Sequence, residues 1–355
     1  MWHGFCFYPG MMEKTILIAG GTGVLRQYLV DSLLTDPESL VVSVDFLTST
    51  DTGGTSHSLR QGARFEHHRI DVEDAAEIAE VVVAHAPQTI IDLATETDCT
   101  SAEASRRWPA SGNIIGTYHL LEAARLAWQQ AGTRAPVASQ RRFVQVSTAP
   151  LTGPPAEGGA RSFCPYEEIV ASRLADRWRL AYGLPTLRVS ALNVFGPHQS
   201  SAHFVPRTID ALLGQRPIRL RRESRDWVYV EDAAEAIAFL SRHGVPGRDY
   251  RLDGIGGRFS ELAIAESICD QLDQLVPRES GSYRDYLSAS PGTATGGVPH
   301  RRAGVRPVQD ELGWKPLNDF HCALAATVRR YVEHSIRPEQ FRPAAPEPLY
   351  QVATG

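Results

Sequence analysis

The stretch at residues 15–45 constrains the fold of this chain more than any other. It begins with an apolar run at 15–19, which predicts a buried parallel strand. A turn with three glycines in four positions follows, and leucines at spacings of four then predict an amphipathic helix. A second apolar run at 40–44 leads directly to Asp45. The sequence therefore predicts a strand, a glycine-rich turn, a helix and a second strand that ends in an acid.

This pattern is typical of a dinucleotide-binding unit, although an ordinary βα turn with chance glycines is the alternative. The glycines let backbone N–H groups approach a pyrophosphate at the positive end of the helix. Asp45 stands where a carboxylate accepts from both ribose hydroxyls, which favours NAD over NADP because a 2′-phosphate would be repelled. Arg26 replaces the third glycine of the G-x-x-G-x-x-G spacing. Its side chain could reach a phosphate or fill the place of the cofactor.

Composition narrows the class of protein. The net charge of −5 does not suggest nucleic-acid binding, and no apolar run approaches the length of a membrane span. The five cysteines and twelve histidines show no ligand spacing, so we predict no metal site and a cytoplasmic location. Lys14 and Lys315 are the only lysines among 36 basic residues. Any reaction step that needs a lysine therefore has two candidates.

Apolar strands alternate with helices through the first half, which predicts a parallel sheet covered on both faces. We expect a doubly wound, Rossmann-type α/β domain at 13–190, preceded by an extension at 1–12. Residues 191–335 are expected to form mainly a smaller α/β substrate-binding domain, with 225–252 returning to the sheet and a Pro-rich tail at 336–355. The predicted strands cover 15–19, 40–44, 64–70, 89–94, 142–147, 186–193 and 226–230; helices after the first cover 75–85, 113–131, 166–182, 204–214, 232–243, 260–275 and 319–334.

Several stretches resemble the extended short-chain dehydrogenase/reductases, and among these the dTDP-glucose 4,6-dehydratases. They keep the family's order over nearly the whole chain. The resemblance implies NAD bound by the first half, a nucleotide-sugar substrate bound by the second, and a homodimer paired through helices such as 113–131 and 166–182. The stretches are NIIGTYHLLEAAR (113–125), VSTAPLTG (146–153), YGLPTLRVSALNVFGP (182–197), RDWVYVEDAAEAI (225–237) and ELGWKP (311–316).

The resemblance also implies site residues. Thr148 and Tyr166 match the catalytic Thr and Tyr of the family. Asn193 and Arg225 match substrate-binding positions, with Arg225 facing the sugar-nucleotide phosphates. The implied cofactor-binding residues are Gly20, Gly23, Val24, Leu25, Asp45, Asp71, Val72, Ala94 and Asn113.

Two parts of the family's proton-transfer machinery are missing. The Asp-Glu pair that supplies acid and base for dehydration is Ala149-Pro150 here. The family lysine, which lowers the pKa of the catalytic tyrosine, lies four residues after it. That position is Val170 when counted from Tyr166, and Glu168 when counted back from the YGLP motif. Neither alignment supplies a lysine.

These losses leave two functions open. The first is a divergent NAD-dependent enzyme acting on a nucleoside-diphosphate hexose by redox chemistry, epimerisation or a rewired dehydration. The standard 4,6-dehydratase reaction is not expected, because acid–base groups typically contribute ~10²–10⁴-fold each. The second is a non-redox homologue that has lost the hydride cycle and serves as a binding partner or a cofactor-independent catalyst.

Other polar residues near the predicted site receive simpler interpretations. Glu167 and Glu168 are interpreted as acids that complement a helix dipole. The loop acids Glu96 and Asp98 are expected to be solvated. Nothing nearby in the sequence would depress the thiol pKa of Cys164. The arginines at 219, 221, 222 and 225 could clamp an anion or form a solvated edge, and we favour the clamp for Arg225 alone.

Overall fold

A computed structural model describes residues 14–20, 24–45, 64–93, 111–130, 140–147, 164–201, 203–290 and 305–335. Its main feature is an eight-stranded sheet in which all pairings are parallel, in the order β14-β11-β6-β5-β4-β1-β2-β3. The predicted fold class is confirmed. The strands are β1 (Lys14–Ala19), β2 (Ser39–Asp45), β3 (Phe65–Arg69), β4 (Thr89–Asp92), β5 (Arg142–Ser147), β6 (Thr186–Ser190), β7 (Val194–Phe195), β8 (Ile218–Leu220), β9 (Ser224–Asp226), β10 (Val228–Tyr229), β11 (Asp249–Arg251), β12 (Arg258–Ser260), β13 (Leu287–Ala289) and β14 (Val305–Pro307).

Helices connect these strands. The described α-helices are α1 (Val24–Leu34), α2 (Ala75–His85), α3 (Gly116–Gln130), α4 (Cys164–Tyr182), α5 (Phe204–Leu213), α6 (Val230–His243), α7 (Glu261–Leu275), α8 (Val308–Leu312) and α9 (Phe320–Ser335). A π-turn at Ser111–Ile115 precedes α3, and a 3₁₀ turn lies at Tyr283–Tyr286. None of the helices that the structure describes has the length and apolarity to span a membrane.

The chain forms two compact units. The first takes its described residues from 14–194, 226–255 and 305–318, and it contains the eight-stranded sheet. The second takes them from 195–225, 256–290 and 319–335, and it contains α5, α7, α9 and the paired strands β8 and β13. Phe259 stacks on Phe320 in this unit, with ring centroids 4.0 Å apart.

Both faces of the sheet are buried, as alternation along β1 shows. Ile16 and Ile18 lie in one apolar cluster with α1 and α6, whereas Leu17 and Ala19 lie in the opposite cluster with α2, α3 and α4. Successive strand residues point to opposite faces, so an uninterrupted apolar run is what a doubly covered strand requires.

Several local features differ from the sequence prediction. The helix predicted from residue 113 begins as a π-turn at Ser111–Ile115. The strand predicted at 186–193 ends at Ser190, and Asn193 adopts a positive φ of 51°. Helix α6 begins at Val230, within the strand predicted at 226–230. Strand β14 was not predicted, because three residues ending in proline carry no periodicity.

An ion-pair network on β6 should contribute strongly to stability. Arg188 is 6% exposed, and its Nε donates to Asp249 Oδ1 of β11 at 2.7 Å. We expect Asp249→Asn to lower the free energy of unfolding by about 2 kcal/mol or more, because it weakens the pairing of a buried guanidinium. Urea unfolding followed by circular dichroism measures this change.

The matched control is Glu38→Gln, which removes an exposed partner of Lys14. Exposed pairs contribute about 0–1 kcal/mol, so this change should be near neutral. Equal effects of the two substitutions would contradict the importance assigned to Arg188.

Candidate functional site

The carboxyl ends of β1 and β2 carry the first group of predicted site residues. Gly20 follows β1 with a φ of 73°, a left-handed conformation that favours glycine, and its N–H donates to the Val44 carbonyl at 3.0 Å. Asp45 ends β2 and is 6% exposed. Val24 begins α1 and is buried, and Leu25 is half-buried. The predicted residue Gly23 lies outside the described part of the chain.

Arg26 is enclosed between α1 and β2. It is 2% exposed, its Nη1 donates to Ser43 Oγ at 3.1 Å, and the same nitrogen lies 3.9 Å from Asp45 Oδ2. Burial lowers the pKa of this guanidinium, and the Asp45 charge opposes that effect. The structure therefore argues against the alternative in which the Arg26 side chain extends to bind a phosphate. The side chain lies beside the carboxylate expected to bind ribose.

The neighbouring strand adds a polar group without a partner. His67 lies opposite Ser43 in the register of β2 and β3. Both of its ring nitrogens are buried, with no hydrogen-bond partner among the described residues. Burial, and then the charge of Arg26, lower the pKa of His67, which favours the neutral ring. Buried polar atoms without partners beside Asp45 fit a polar ligand such as a ribose.

These residues fit a dinucleotide, with one change to the expected electrostatics. Gly20 provides the left-handed turn, and Asp45 provides a buried acceptor. Arg26 partly balances the charge of Asp45, which reduces the repulsion that a 2′-phosphate would meet. Of the other predicted cofactor residues, Asp71 caps the turn after β3 by accepting from the Glu73 N–H at 3.1 Å.

The remaining cofactor positions are partly described. The carbonyl of Val72 lies 3.2 Å from His119 Nδ1. Its side chain packs so tightly that a Cβ added at Gly116 would lie 2.8 Å from Val72 Cγ2. Ala94 lies outside the described residues. Asn113 is 1% exposed and belongs to a second group of polar side chains.

This second group lines a small buried cavity beside β4 and β5. Thr117 Oγ1 donates to Asp92 Oδ2 at 2.6 Å, and Ser147 Oγ donates to Glu168 Oε2 at 2.8 Å. Gln145 Oε1 is buried and has no hydrogen-bond partner among the described residues. The cavity is thus rich in acceptor oxygens. Its lining consists of Asp92, Asn113, Thr117, Gln145, Val146, Ser147, Glu168 and Ala171.

Glu167 and Glu168 are more deeply buried than solvated acids at a helix start would be. Both lie near the start of α4, yet they are only 6% and 4% exposed. Glu167 Oε2 accepts from Asn113 Nδ2 at 3.4 Å, while Glu168 accepts from Ser147. Helical spacing could have shown this, because Ala171, Ser172 and Ala175 follow Glu168 on one narrow face of small residues.

The exposure of Val170 and Glu168 distinguishes the two possible alignments for the position of the missing lysine. Val170 is 44% exposed on α4, whereas Glu168 is buried against β5. The buried register is that of Glu168, and the residue one helical turn before it is Cys164. Tyr166 lies in α4, but its side chain and all of Thr148 lie outside the described residues, so their predicted roles remain predictions.

The predicted substrate-binding residues fall in different units. In the first unit, Asn193 holds a turn: its Nδ2 donates to the Asp226 carbonyl at 2.9 Å, and its own carbonyl accepts from the Val228 N–H at 3.3 Å. In the second unit, Arg225 is half-buried in β9. The arginines at 219, 221 and 222 are exposed.

Comparison with known proteins identifies the family. The model of the NAD dependent epimerase/dehydratase family matches residues 16–252. The chain belongs to this family. The predicted resemblance to the extended short-chain dehydrogenase/reductases is confirmed. The predicted cofactor, NAD, and the predicted substrate class, nucleotide sugars, are also confirmed as those of this family.

Individual relatives agree with this membership. The dTDP-glucose 4,6-dehydratase of Salmonella typhimurium is 29% identical over 349 residues, covering 90% of this chain and 93% of the relative. A Bacillus anthracis dTDP-glucose 4,6-dehydratase solved with NAD has a TM-score of 0.67 at 19% identity, covering 90% of this chain and 96% of the other. A Thermotoga maritima UDP-glucose 4-epimerase solved with UDP-glucose has a TM-score of 0.65 at 19% identity, covering 91% and 100%. The two solved structures show the shared fold.

Binding of NAD should depend on Asp45. We expect Asp45→Asn to weaken NAD binding about tenfold or more, because hydrogen bonds to a charged acceptor contribute about 1.5–3 kcal/mol. Isothermal titration of the purified protein with NAD measures this. Asp31→Asn, on the exposed surface of α1, is the matched control and should bind NAD as the parent does. Equal affinities in all three proteins would remove Asp45 from the cofactor site.

Proposed function

We propose that this chain is an NAD-dependent enzyme that modifies a nucleoside-diphosphate hexose by redox chemistry, epimerisation or a dehydration with rearranged acid–base groups. The observation that carries the proposal is the buried carboxylate of Asp45 beside the left-handed turn at Gly20, in a chain of this family. We also propose a cytoplasmic location, because five cysteines without a disulfide framework suggest a reducing compartment.

Glu168 takes the place of the missing lysine in this proposal. Its carboxylate is buried against β5 and accepts from Ser147, which directly precedes the predicted catalytic Thr148. A carboxylate there has the opposite electrostatic effect to an ammonium, because it raises the pKa of a neighbouring tyrosine. Tyr166 then serves better as an acid than as a base. Glu168 accepts the proton of the sugar hydroxyl, directly or through a hydroxyl such as that of Ser147.

The acidic surroundings also restrict the substrate. Three acids lie at or beside the cavity, and they are almost fully buried: Asp92 is 2% exposed, Glu167 6% and Glu168 4%. A sugar that carries its own carboxylate would be repelled by such neighbours in a medium of low dielectric constant. The hexose is therefore uncharged. The Ala149-Pro150 sequence leaves the family's acid and base for dehydration absent, so the standard 4,6-dehydratase reaction is not proposed.

A non-redox homologue is the second candidate, and Arg26 favours it. The guanidinium replaces the third glycine and lies 3.9 Å from the carboxylate that should bind ribose. Such a pair competes with the ribose hydroxyls for Asp45. If the parent protein does not bind NAD and Arg26→Gly does, this second function is the correct one.

Turnover should depend on Glu168 more than on Tyr166. The purified protein is incubated with NAD and with dTDP-glucose, UDP-glucose and GDP-mannose separately, and products are identified by NMR and mass spectrometry. We expect Glu168→Gln to lower kcat about 10²-fold or more, because the residue loses its ability to accept a proton. Tyr166→Phe should have a smaller effect.

Glu77→Gln, on the exposed surface of α2, is the control and should leave kcat unchanged. A Glu168→Gln variant with full activity would exclude Glu168 as the base. Rapid conversion of dTDP-glucose to its 4-keto-6-deoxy product would contradict the restriction on dehydration.

An apolar surface on α3 and α4 supports the predicted homodimer. Tyr118, Leu126, Val170 and Tyr182 are 43–51% exposed on these two neighbouring helices. Trp178 joins them, with its ring centroid 5.5 Å from that of Tyr118. Grouped exposed apolar side chains typically mark an interface between proteins. We therefore propose that two copies pair through α3 and α4.

Charge introduced on this surface should produce monomers. We expect the double substitution Leu126→Glu and Val170→Glu to halve the mass measured by light scattering after gel filtration, because two buried carboxylates oppose association. The control is Val83→Glu, which places a charge at a 66% exposed apolar position of α2 and should leave the dimer intact. A parent protein that is already monomeric, or a dimer in both variants, would contradict this interface.

A further inference from the structure

Three side chains with metal-ligating atoms converge at β3, one of the two edge strands of the eight-stranded sheet. Glu66 and His68 are two residues apart in β3, so they share one face of the strand. His85, in the last turn of α2, completes the group. His85 Nε2 lies 3.2 Å from His68 Nε2, and each nitrogen lies 3.7 Å from Glu66 Oε2.

These separations match the ligand shell of a small divalent cation. Zinc bonds to nitrogen or oxygen measure about 2.0–2.2 Å, so tetrahedral ligands lie roughly 3.3 Å from one another. The two nitrogens are already at that spacing, and Glu66 Oε2 needs to move by only a few tenths of an ångström. The group is the one set of three such ligands that converges within the described residues.

The protonation state and the solvent exposure of these three side chains would allow a metal ion to bind. Two Nε2 atoms at 3.2 Å can share only one proton, so at least one of them presents a lone pair. The side chains of His85, His68 and Glu66 are 16%, 34% and 49% exposed, so solvent reaches the group.

We propose that Glu66, His68 and His85 form a binding site for one divalent transition-metal ion, with Zn²⁺ as its best-fitting occupant. Two imidazoles and a carboxylate suit Zn²⁺, Ni²⁺ or Cu²⁺ rather than Mg²⁺, which prefers oxygen ligands. Three protein ligands leave one position for water. The ion links the end of α2 to the edge strand β3. The site shares no residue with the dinucleotide site or with the cavity at Glu168, so it does not depend on the proposed function.

Zinc titration tests the site directly. Tag-free full-length protein is treated with a chelator, dialysed and titrated with ZnCl₂ in a calorimeter. We expect one ion per chain, and at least a tenfold loss of affinity in both His68→Gln and His85→Gln. The control is His321→Gln, an exposed histidine at the start of α9, which should bind as the parent does. Zinc should raise the Tm of the parent and of this control, and MgCl₂ should not.

Several results would overturn the proposal. One is parent protein that binds no zinc; another is equal zinc affinity in the parent, His68→Gln and His85→Gln, which would show adsorption at other histidines. If His85→Gln does not fold, the zinc affinity of Glu66→Gln is measured instead. The Glu66 side chain is half exposed, so its loss should not affect folding. If Glu66→Gln and His68→Gln both bind zinc as the parent does, the group is not a metal site, and His68 and His85 form only a hydrogen-bonded pair of imidazoles.

Discussion

Burial of both faces of the parallel sheet is the constraint on which the rest of the first unit depends. The alternating side chains of β1 enter two separate apolar clusters, so neither face can tolerate solvent. A parallel sheet also directs all its strands one way, which brings their carboxyl ends to a single edge. Asp45, Asp92 and Ser147 end three of these strands. Polar groups that are far apart in the sequence therefore lie along the same edge of the sheet.

The chemistry at this edge is governed by charge. The family uses an ammonium to draw a proton from a sugar hydroxyl through a tyrosine, and the described region around Ser147 offers carboxylates instead. Glu168 accepts from Ser147, Glu167 accepts from Asn113 and Asp92 accepts from Thr117, so each acid is oriented by a neutral donor. An oriented, buried carboxylate is a reasonable general base. In the proposed function, the scaffold of the family is retained while a carboxylate accepts the proton of the sugar hydroxyl.

Sequence patterns predicted the architecture well and the site only in part. The apolar runs at β1 and β2, the turn at Gly20 and the acid that ends β2 could be predicted because they form one contiguous local pattern. Their role in cofactor binding stays a prediction. The burial of Glu168 could not be predicted, because an acid near the start of a helix is usually solvated, and only the packing of α4 on β5 encloses this one. The convergence of His68 and His85, 17 residues apart, depends on how α2 packs on β3, which no residue spacing encodes. Similarly, the sequence could not show whether Arg26 contacts Ser43, as it does in the structure, or extends to bind a phosphate.

The π-turn at Ser111–Ile115 has a consequence for how this helix can evolve. A π-turn contains one more residue than the α-helical turn it replaces, and such insertions are usually kept only where they are used. Asn113 lies within this turn and donates to Glu167, and α3 begins directly after the turn at Gly116. Loss of a single residue from this turn would rotate the amide by roughly 100° about the helix axis, given 3.6 residues per turn, without changing any side chain of the pocket. A relative with one residue fewer in this turn would thus lose the contact between Asn113 and Glu167 even if it kept both residues.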